Sequence, residues 1–455
     1  MIYSGLKDTT TSNHASPGEW VARSCHRRRA GRVPFSYFLL ETAARLDTGI
    51  VVDVFEPRDF SKLGPSGCNM CGGIVSESLV QILATEGINL PRAVYKRGVD
   101  SYVLHMDVGR AFIDTPLHEK RIVSVHRGGG PMGSKPSAWR SFDGFLQALA
   151  MAKGARLVQE RVESLAWKDG RPEVKTKNGR CESYDLLVGA VGINTSALRL
   201  FESMGFGYKA PRATKTHICE FQLGKENVEK HLGSSIHVFL LNLPRLEFAA
   251  LIPKGDYATL CLMGQEIDAD LVKTFLQHPE VRECLPPDAG GLKPCCQCYP
   301  KMNVGEAVQP FADRVVLIGD SGVSRLYKDG IGAAYRTAKA AALTSILEGI
   351  SADAFRQKYW PTCRKIATDN GFGHAVFAAT RQIQRRRRAH HALLGVVAAE
   401  RRNCRARTMS TALWDTFTGS APYREVFMRT LRPGLGMRML WQLILGRKGT
   451  VASAE

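Results

Sequence analysis

The residues best suited to chemistry lie late in the chain, in RVVLIGDSGVSRLYKDGIGAAYRTAKAAA (314–342). An apolar run ends at Gly319-Asp320, and Gly330-Ile331-Gly332 then opens a stretch rich in small residues. An aspartate at a strand's C-terminal end can accept hydrogen bonds from sugar hydroxyls. Glycines at a helix N-terminus let backbone N–H groups come close to a phosphate or ring oxygen. The pattern therefore suits a ribitol-and-pyrophosphate contact, against the plain alternative of a strand-turn-helix connection with no ligand. A second acid, Glu56, closes the strand-like run GIVVDVF (49–55), where a dinucleotide-binding fold places a carboxylate for ribose hydroxyls. The third chemical signal is sulfur. Cys68-x-x-Cys71 is followed by Gly72-Gly73, and KPCCQCYP adds Cys295, Cys296 and Cys298. Four of these thiolates could in principle hold zinc or an iron–sulfur cluster, two could form a redox pair, and one could act alone as an active-site thiol.

These residues need particular elements to hold them. GIVVDVF is nearly continuous and β-branched, as a buried parallel strand should be. SFDGFLQALAMAKG predicts a helix with Phe142, Phe145, Leu146 and Leu149 on one side and an end at Gly154. PRLEFAALIPKGDYATLCLMG predicts two strands around a Pro253-Lys254-Gly255-Asp256 turn. RVVLIGDSG reads as a strand entering a glycine turn, and the alanine-rich segment after it as a helix closed by Gly349. Beyond Ser351 the chain reads as helical and basic. Buried strands alternating with helices, interrupted by antiparallel hairpins, predict an α/β fold with an inserted β-rich lobe.

Together with Glu56, the segments AWRSFDGFLQALA, YDLLVGAVG and RVVLIGDSG resemble the FAD-dependent oxidoreductases of the geranylgeranyl-reductase type, which share the flavin-binding architecture of the aromatic-ring hydroxylases. The resemblance runs from about Phe35 to the C-terminal helices. It implies a Rossmann-like FAD-binding domain formed by 1–105, 135–205 and 301–350. An inserted β-rich substrate domain would come from 106–134 and 206–300, followed by a helical C-terminal region, 351–455. It also implies FAD as the cofactor. Arg140, ahead of the Phe142-Asp143 helix, would lie along the flavin nucleotide, while Gly319 and Asp320 hold the ribitol. Glu56, Val162, Gly72, Gly73, Gly330, Ile331 and Gly332 are the other implied cofactor contacts. Cys71-Gly72-Gly73 corresponds to the family's segment near the isoalloxazine ring, which makes Cys71 the candidate catalytic thiol and leaves no metal site in this reading. Val191 stands where the family's glycine turn usually has an acid. The aromatic "YxW" segment common on the substrate-facing sheet of prenyl reductases is missing between Arg245 and Tyr257.

The first glycine loop is missing too. Where it belongs the chain has Arg27, Arg28, Arg29 and Arg32. Arginine codons of the CGN type across Arg27–Arg32, read one base downstream, are open to Gly-Gly-Gly-Pro-Ala-Gly, and Ser24-Cys25-His26 shift to codons open to Val-Val-Ile. A frame-shifted dinucleotide loop, with the frame restored near Phe35, accounts for both the lost fingerprint and the lost strand end. The rival is a genuine basic segment on a protein without the loop.

The net charge of +19 is concentrated, with five arginines from Arg23 to Arg32 and nine from Arg381 to Arg407. No aromatic-interleaved basic motif accompanies them, so nucleic acid is not an expected partner. A solvated helical face is the plain reading, and an anionic membrane surface the functional one. Trp414, Phe417, Tyr423, Phe427 and Trp441 lie on short amphipathic stretches. They read as core contacts, as a greasy wall for a prenyl-like substrate, or as an interfacial foot. No apolar run reaches the roughly 18–20 residues of a membrane span, and no apolar signal core opens the sequence. The expectation is a cytoplasmic protein with reduced thiols, or one peripheral to the inner face of a membrane. It would reduce C=C bonds of an isoprenoid or lipid-like small hydrophobic substrate. A flavin monooxygenase is the alternative enzyme, and a cofactor-free basic scaffold the alternative of another class. No second dinucleotide fingerprint is present, so the electron donor would be a transiently docked NAD(P)H or a redox protein.

Overall fold

The computed structural model describes residues 3–4, 20–24, 32–115, 122–134, 141–193, 196–287, 293–402 and 407–445. Two β layers carry the architecture. The first is built from parallel strands in the order Trp20–Ser24, Ile50–Phe55, Arg156–Val158, with Trp20 paired to Ile50 and Asp53 to Arg156. Leu187–Gly189 and Val315–Leu317 form a second parallel pair. Helices Arg32–Arg45, Phe142–Ala152 and Gly330–Leu347 share one core with these strands, where Phe35, Phe38 and Leu39 meet Val54, Val188, Val316 and Ala338. Strand Trp20–Ser24 and helix Arg32–Arg45 thus flank the arginine segment, while residues 25–31 lie outside the described residues.

Local signals explain the element ends. Ser141 caps the Phe142–Ala152 helix by accepting a hydrogen bond from the Gly144 amide at 3.0 Å. Gly154, at φ +100°, and Gly349, at φ +105°, follow the helices whose ends they mark.

The second layer is a mixed seven-stranded sheet, ordered Cys296–Cys298, His217–Gln222, Tyr257–Gly264, Leu246–Lys254, Ser235–Phe239, Ser101–Met106, Gly109–Asp114. The hairpin expected near residues 253–256 is tighter than the sequence suggested. Lys254 pairs with Tyr257, so only Gly255 and Asp256 form the loop, and Pro253 and Lys254 belong to the strand. Alternation sorts the side chains of this sheet. Phe221, Phe239, Leu251 and Leu260 face helices Lys225–His231 and Ala269–Gln277. Ile218, Val238, Ala250 and Ile252 face the opposite way, toward the C-terminal helices and the nucleotide-type layer.

The C-terminal region is helical through Leu445, and Arg385 to Arg388 are exposed. Among the described residues no helix is long and apolar enough to cross a membrane.

Candidate functional site

An open cavity of about 1360 Å³ lies between the two β layers. One side of it is the glycine-helix end. Strand Val315–Leu317 runs into a single turn, Gly319–Ser321, whose Gly319 takes φ +62°. The Gly319 amide donates to Thr337 Oγ1 at 2.9 Å, and a Cβ there would sit 3.1 Å from that of Ala334, so the turn lies tight against the helix that follows. Asn303 Nδ2 donates to the Asp320 main-chain carbonyl at 3.0 Å. A Cβ on Gly330 would come within 3.7 Å of Asp320 Oδ1, which places the carboxylate over the first residue of helix Gly330–Leu347. Asp320, Gly330 and Ile331 all line the cavity.

Asp329, just before this helix, is left-handed at φ +48°. Its buried carboxylate accepts from Ser76 Oγ at 2.6 Å, Arg336 Nη2 at 2.7 Å and Arg325 Nη1 at 3.2 Å. A Cβ on Gly332 would fall on this carboxylate. Gly332 therefore serves an internal contact and does not line the cavity.

The opposite side is the segment from Met70 to Ile74. Cys71 is half-buried, and its Sγ accepts from the Gly73 amide at 3.4 Å. Sequence reasoning assigned the two glycines to close approach by a ligand. In the structure the close approach is made by the protein itself. A Cβ at Gly73, φ +69°, would fall on the Val125 carbonyl oxygen, and one at Gly72 would sit 2.8 Å from Cys261 Sγ. Next to them the Asn69 side chain is buried, with neither amide atom partnered among the described residues.

Arg127, which sequence reasoning missed, lines the cavity beside Cys71. It forms a two-pronged ion pair with Asp143, Nε to Oδ1 at 2.6 Å and Nη2 to Oδ2 at 2.9 Å, both side chains being buried. Burial works against its charge, but Asp143 and then Cys71 outweigh it, and the guanidinium pKa lies above its usual value. Asp143 in the first turn of a helix was a visible signal for a nearby arginine. The choice between Arg127 and Arg140 was not visible. Arg140 itself lies outside the described residues.

Apolar side chains complete the walls: Ile218, Ile236, Val238 and Ile252 from the sheet, with Phe377 and Phe417 from the C-terminal helices. Tyr327 also lines it, its phenol pushed up to about 12 by burial, as does Lys328, whose ammonium is driven down by burial and then by Arg325. Of the other aromatic candidates, Trp414 is buried edge-on to Tyr102 at 5.2 Å, and the Tyr423 hydroxyl donates to the Leu326 carbonyl at 2.6 Å. Phe427 is partly buried, and Trp441 is 61% exposed.

A second cavity of about 600 Å³ shares Met70, Cys71, Arg127 and Ile218 with the first. Cys68, Cys296 and Cys298 line it with the buried Lys254–Glu220 ion pair, 3.2 Å apart. Thr259 Oγ1 donates to the same Glu220 carboxylate at 2.7 Å. Burial raises the Cys68 thiol. Among the described residues Cys68, Cys71, Cys295 and Cys298 do not gather into a metal-ligand set, and no disulfide forms.

Besides Gly332, three predicted site residues stand apart from both cavities. Glu56 is buried at the end of strand Ile50–Phe55, where it accepts from the Arg58 amide at 3.0 Å and pairs with the Arg58 guanidinium at 3.4 Å. Val162 opens strand Val162–Lys168 and packs with Phe55, Val158 and Leu187. Gly319 shapes the turn without facing the cavity.

The fold recurs in proteins of known structure. A geranylgeranyl bacteriochlorophyll reductase-like protein from Thermoplasma acidophilum superposes with a TM-score of 0.64 at 12% identity, over 93% of this chain and 98% of that one. The chain has the fold of FAD-dependent oxidoreductases. PqsL of Pseudomonas aeruginosa, a probable FAD-dependent monooxygenase, matches with a TM-score of 0.54 at 14% identity, over 79% of this chain and 97% of that one. The halogenase PltM matches with a TM-score of 0.60 at 12% identity, over 95% of this chain and 97% of that one. No family model matches the sequence, and no curated protein matches it.

Proposed function

We propose that this chain is an FAD-dependent oxidoreductase of small hydrophobic substrates, with the isoalloxazine end of the cofactor and the substrate sharing the large cavity. One observation carries the reading. Asp320, the first turn of helix Gly330–Leu347 and the Cys71-Gly72-Gly73 segment all line a single cavity, which Ile218, Ile236, Val238, Ile252, Phe377 and Phe417 make apolar on the sheet and C-terminal sides. The donor set fits the group: a carboxylate for ribitol hydroxyls and helix N–H groups for a ring or phosphate oxygen.

Bound and reduced, FAD supplies a hydride. The chain's own residues do the rest. Asp320 orients the ribitol. Ile218, Val238 and Phe417 exclude water and hold an isoprenoid or similar chain against the ring. Tyr327, whose phenol lines the cavity, is the residue placed to donate a proton to the substrate. The electron donor is NAD(P)H or a redox protein that docks transiently.

Helix Pro433–Leu445 supports a peripheral role on the cytoplasmic side of a membrane. Met437, Leu440, Trp441 and Ile444 are exposed at helical spacing, forming an apolar stripe beside a basic region.

The test is direct. Flavin absorbance is measured on the purified protein and after incubation with FAD, both for the chain as written and for a version with the glycine loop restored. Anaerobic reoxidation of the reduced, flavin-loaded protein by a polyprenyl substrate supports the reductase. Turnover that needs oxygen supports the monooxygenase. Failure of every version to take up FAD overturns the proposal.

A further inference from the structure

On the far side of the large sheet, away from the cavity, lies a cluster that none of the chemistry above uses. His105 stands on strand Ser101–Met106 and His237 on the parallel neighbour Ser235–Phe239. Cys284 is in the turn after helix Pro279–Arg282. All three are buried, and one ligand atom from each lies within 4.8 Å of the others, the one place among the described residues where three such donors gather. His105 Nε2 and His237 Nδ1 are 2.9 Å apart, and Cys284 Sγ is 3.6 and 3.3 Å from them.

We propose that His105, His237 and Cys284 bind one thiophilic d10 ion, Zn²⁺ or Cu⁺. A tetrahedral zinc with bonds of about 2.0–2.1 Å to nitrogen and about 2.3 Å to sulfur needs donor separations of roughly 3.3 Å (N–N) and 3.5 Å (N–S). The three donors span one face of such a tetrahedron. For Cu⁺, two imidazoles and a thiolate suffice without a fourth ligand.

The hydrogen bonds around the cluster are those of ligands with their outer shell in place. His105 Nδ1 lies 3.5 Å from Glu280 Oε2. His105 thus presents one ring nitrogen to Glu280 and the other to His237. The Cys284 S–H points outward as well, to the Glu280 main-chain carbonyl at 3.4 Å. The inner nitrogens face each other at 2.9 Å, within hydrogen-bond distance, and a metal ion would take the place of that bond once both imidazoles carry their N–H on the outer nitrogen. A metal ion held by all three donors displaces the thiol proton to solvent.

A carboxylate behind a ligating histidine fixes its tautomer and raises its basicity, which is the part Glu280 plays. The ion would tie together two strands that are 132 residues apart in sequence with the turn that carries Cys284. Ile236 and Val238, which flank His237, line the cavity from the other face. The ion therefore braces the strand that forms the cavity floor. Metal binding is measured without flavin, so its outcome is independent of the FAD reading.

The full-length protein, stripped with a chelator, is titrated with Zn²⁺ and, anaerobically, with Cu⁺ against a chromophoric competitor. One equivalent of one of the two ions is expected. His237→Gln and Cys284→Ser should lose it, and Glu280→Gln should weaken it roughly 10- to 100-fold. A variant carrying both Cys71→Ser and Cys298→Ser should keep it. Co²⁺ in the wild-type protein should give a thiolate-to-metal charge-transfer band that Cys284→Ser lacks. Far-ultraviolet circular dichroism checks that each variant is folded. Where Cys284→Ser does not fold, the wild-type cobalt spectrum and the Glu280→Gln affinity decide. Absence of a bound equivalent in the wild type overturns the site. So does an equivalent that survives in the folded His237→Gln and Cys284→Ser variants, or an unchanged affinity in Glu280→Gln.

Discussion

Helices Arg32–Arg45 and Gly330–Leu347 pack side by side in the same core, with Phe38 edge-on to Tyr335 at 5.2 Å, yet their starts differ completely. The later helix begins Gly-Ile-Gly, beside a carboxylate that faces a cavity. The earlier one begins at Arg32, after a run of arginines. Both dock equally well because docking depends on buried faces: Phe35, Phe38 and Leu39 on one, Ala334, Ala338 and Ala341 on the other. Fold and ligand competence are therefore carried by different residues of the same helix. A chain can keep the first while its N-terminal loop loses the second.

The sharpest way to break this comparison is to make the two starts alike. Arg27–Arg32 is replaced by Gly-Gly-Gly-Pro-Ala-Gly, and Ser24-Cys25-His26 by Val-Val-Ile. At roughly 1.5–3 kcal/mol per charge-assisted N–H contact, several regained contacts should raise FAD affinity by orders of magnitude. Folding stability should hardly change. Equal flavin occupancy in both proteins would show that the arginines are tolerated and that the frameshift explains nothing the protein needs.

The next largest effect should come from the later helix. Asp329→Ala removes a buried carboxylate that balances Arg325 and Arg336, at a cost of about 3 kcal/mol in folding free energy. Denaturant unfolding measures it, and a loss below about 0.5 kcal/mol would mean the network is not structural.

Asp320→Ala, made in the loop-restored protein, should weaken FAD binding by about 1.5–3 kcal/mol, roughly 10- to 150-fold, with the fold intact. The fold survives because Asn303 holds the Asp320 main chain and not its carboxylate. Unchanged affinity would make Asp320 a plain turn residue and leave the two helix starts equally inert.

The smallest effect belongs to the exposed stripe near the C-terminus. Trp441→Ser should reduce co-sedimentation with anionic vesicles a few-fold, by about 1 kcal/mol, without altering flavin content. Binding to neutral vesicles as strong as to anionic ones would remove the part assigned to the basic residues.

Legibility followed sequence distance. Asp320, Gly330 and the Phe142–Ala152 helix were readable because a strand end, a glycine turn and a helix cap are made by neighbours in the chain. Cys71 was readable as a glycine-flanked thiol, but the reason for its glycines was not. Gly73 is needed by Val125, on a strand many residues later. Arg127 escaped notice because nothing local distinguishes it, and its partner Asp143 is 16 residues away. Lys254 read as a turn residue because Lys-Gly-Asp is a turn signature. Its burial depends on Glu220, 34 residues away, on a strand that is not its hydrogen-bonded neighbour.

By itself the sequence determined the alternation of buried strands and helices, the positive-φ glycines that end them, the concentration of charge and the loss of the first glycine loop. These follow from hydrophobic periodicity and backbone sterics, which act over a few residues. The tertiary structure alone decided which faces meet. It put Ile236 and Val238 on the cavity floor and His237 behind it. It also brought His105 and Cys284 to His237 from 132 and 47 positions away. Period-two alternation assigns a side chain to one face of a strand or the other. Strand order and the helices laid across the sheet supply its neighbours there, and those are set by the burial of the whole chain.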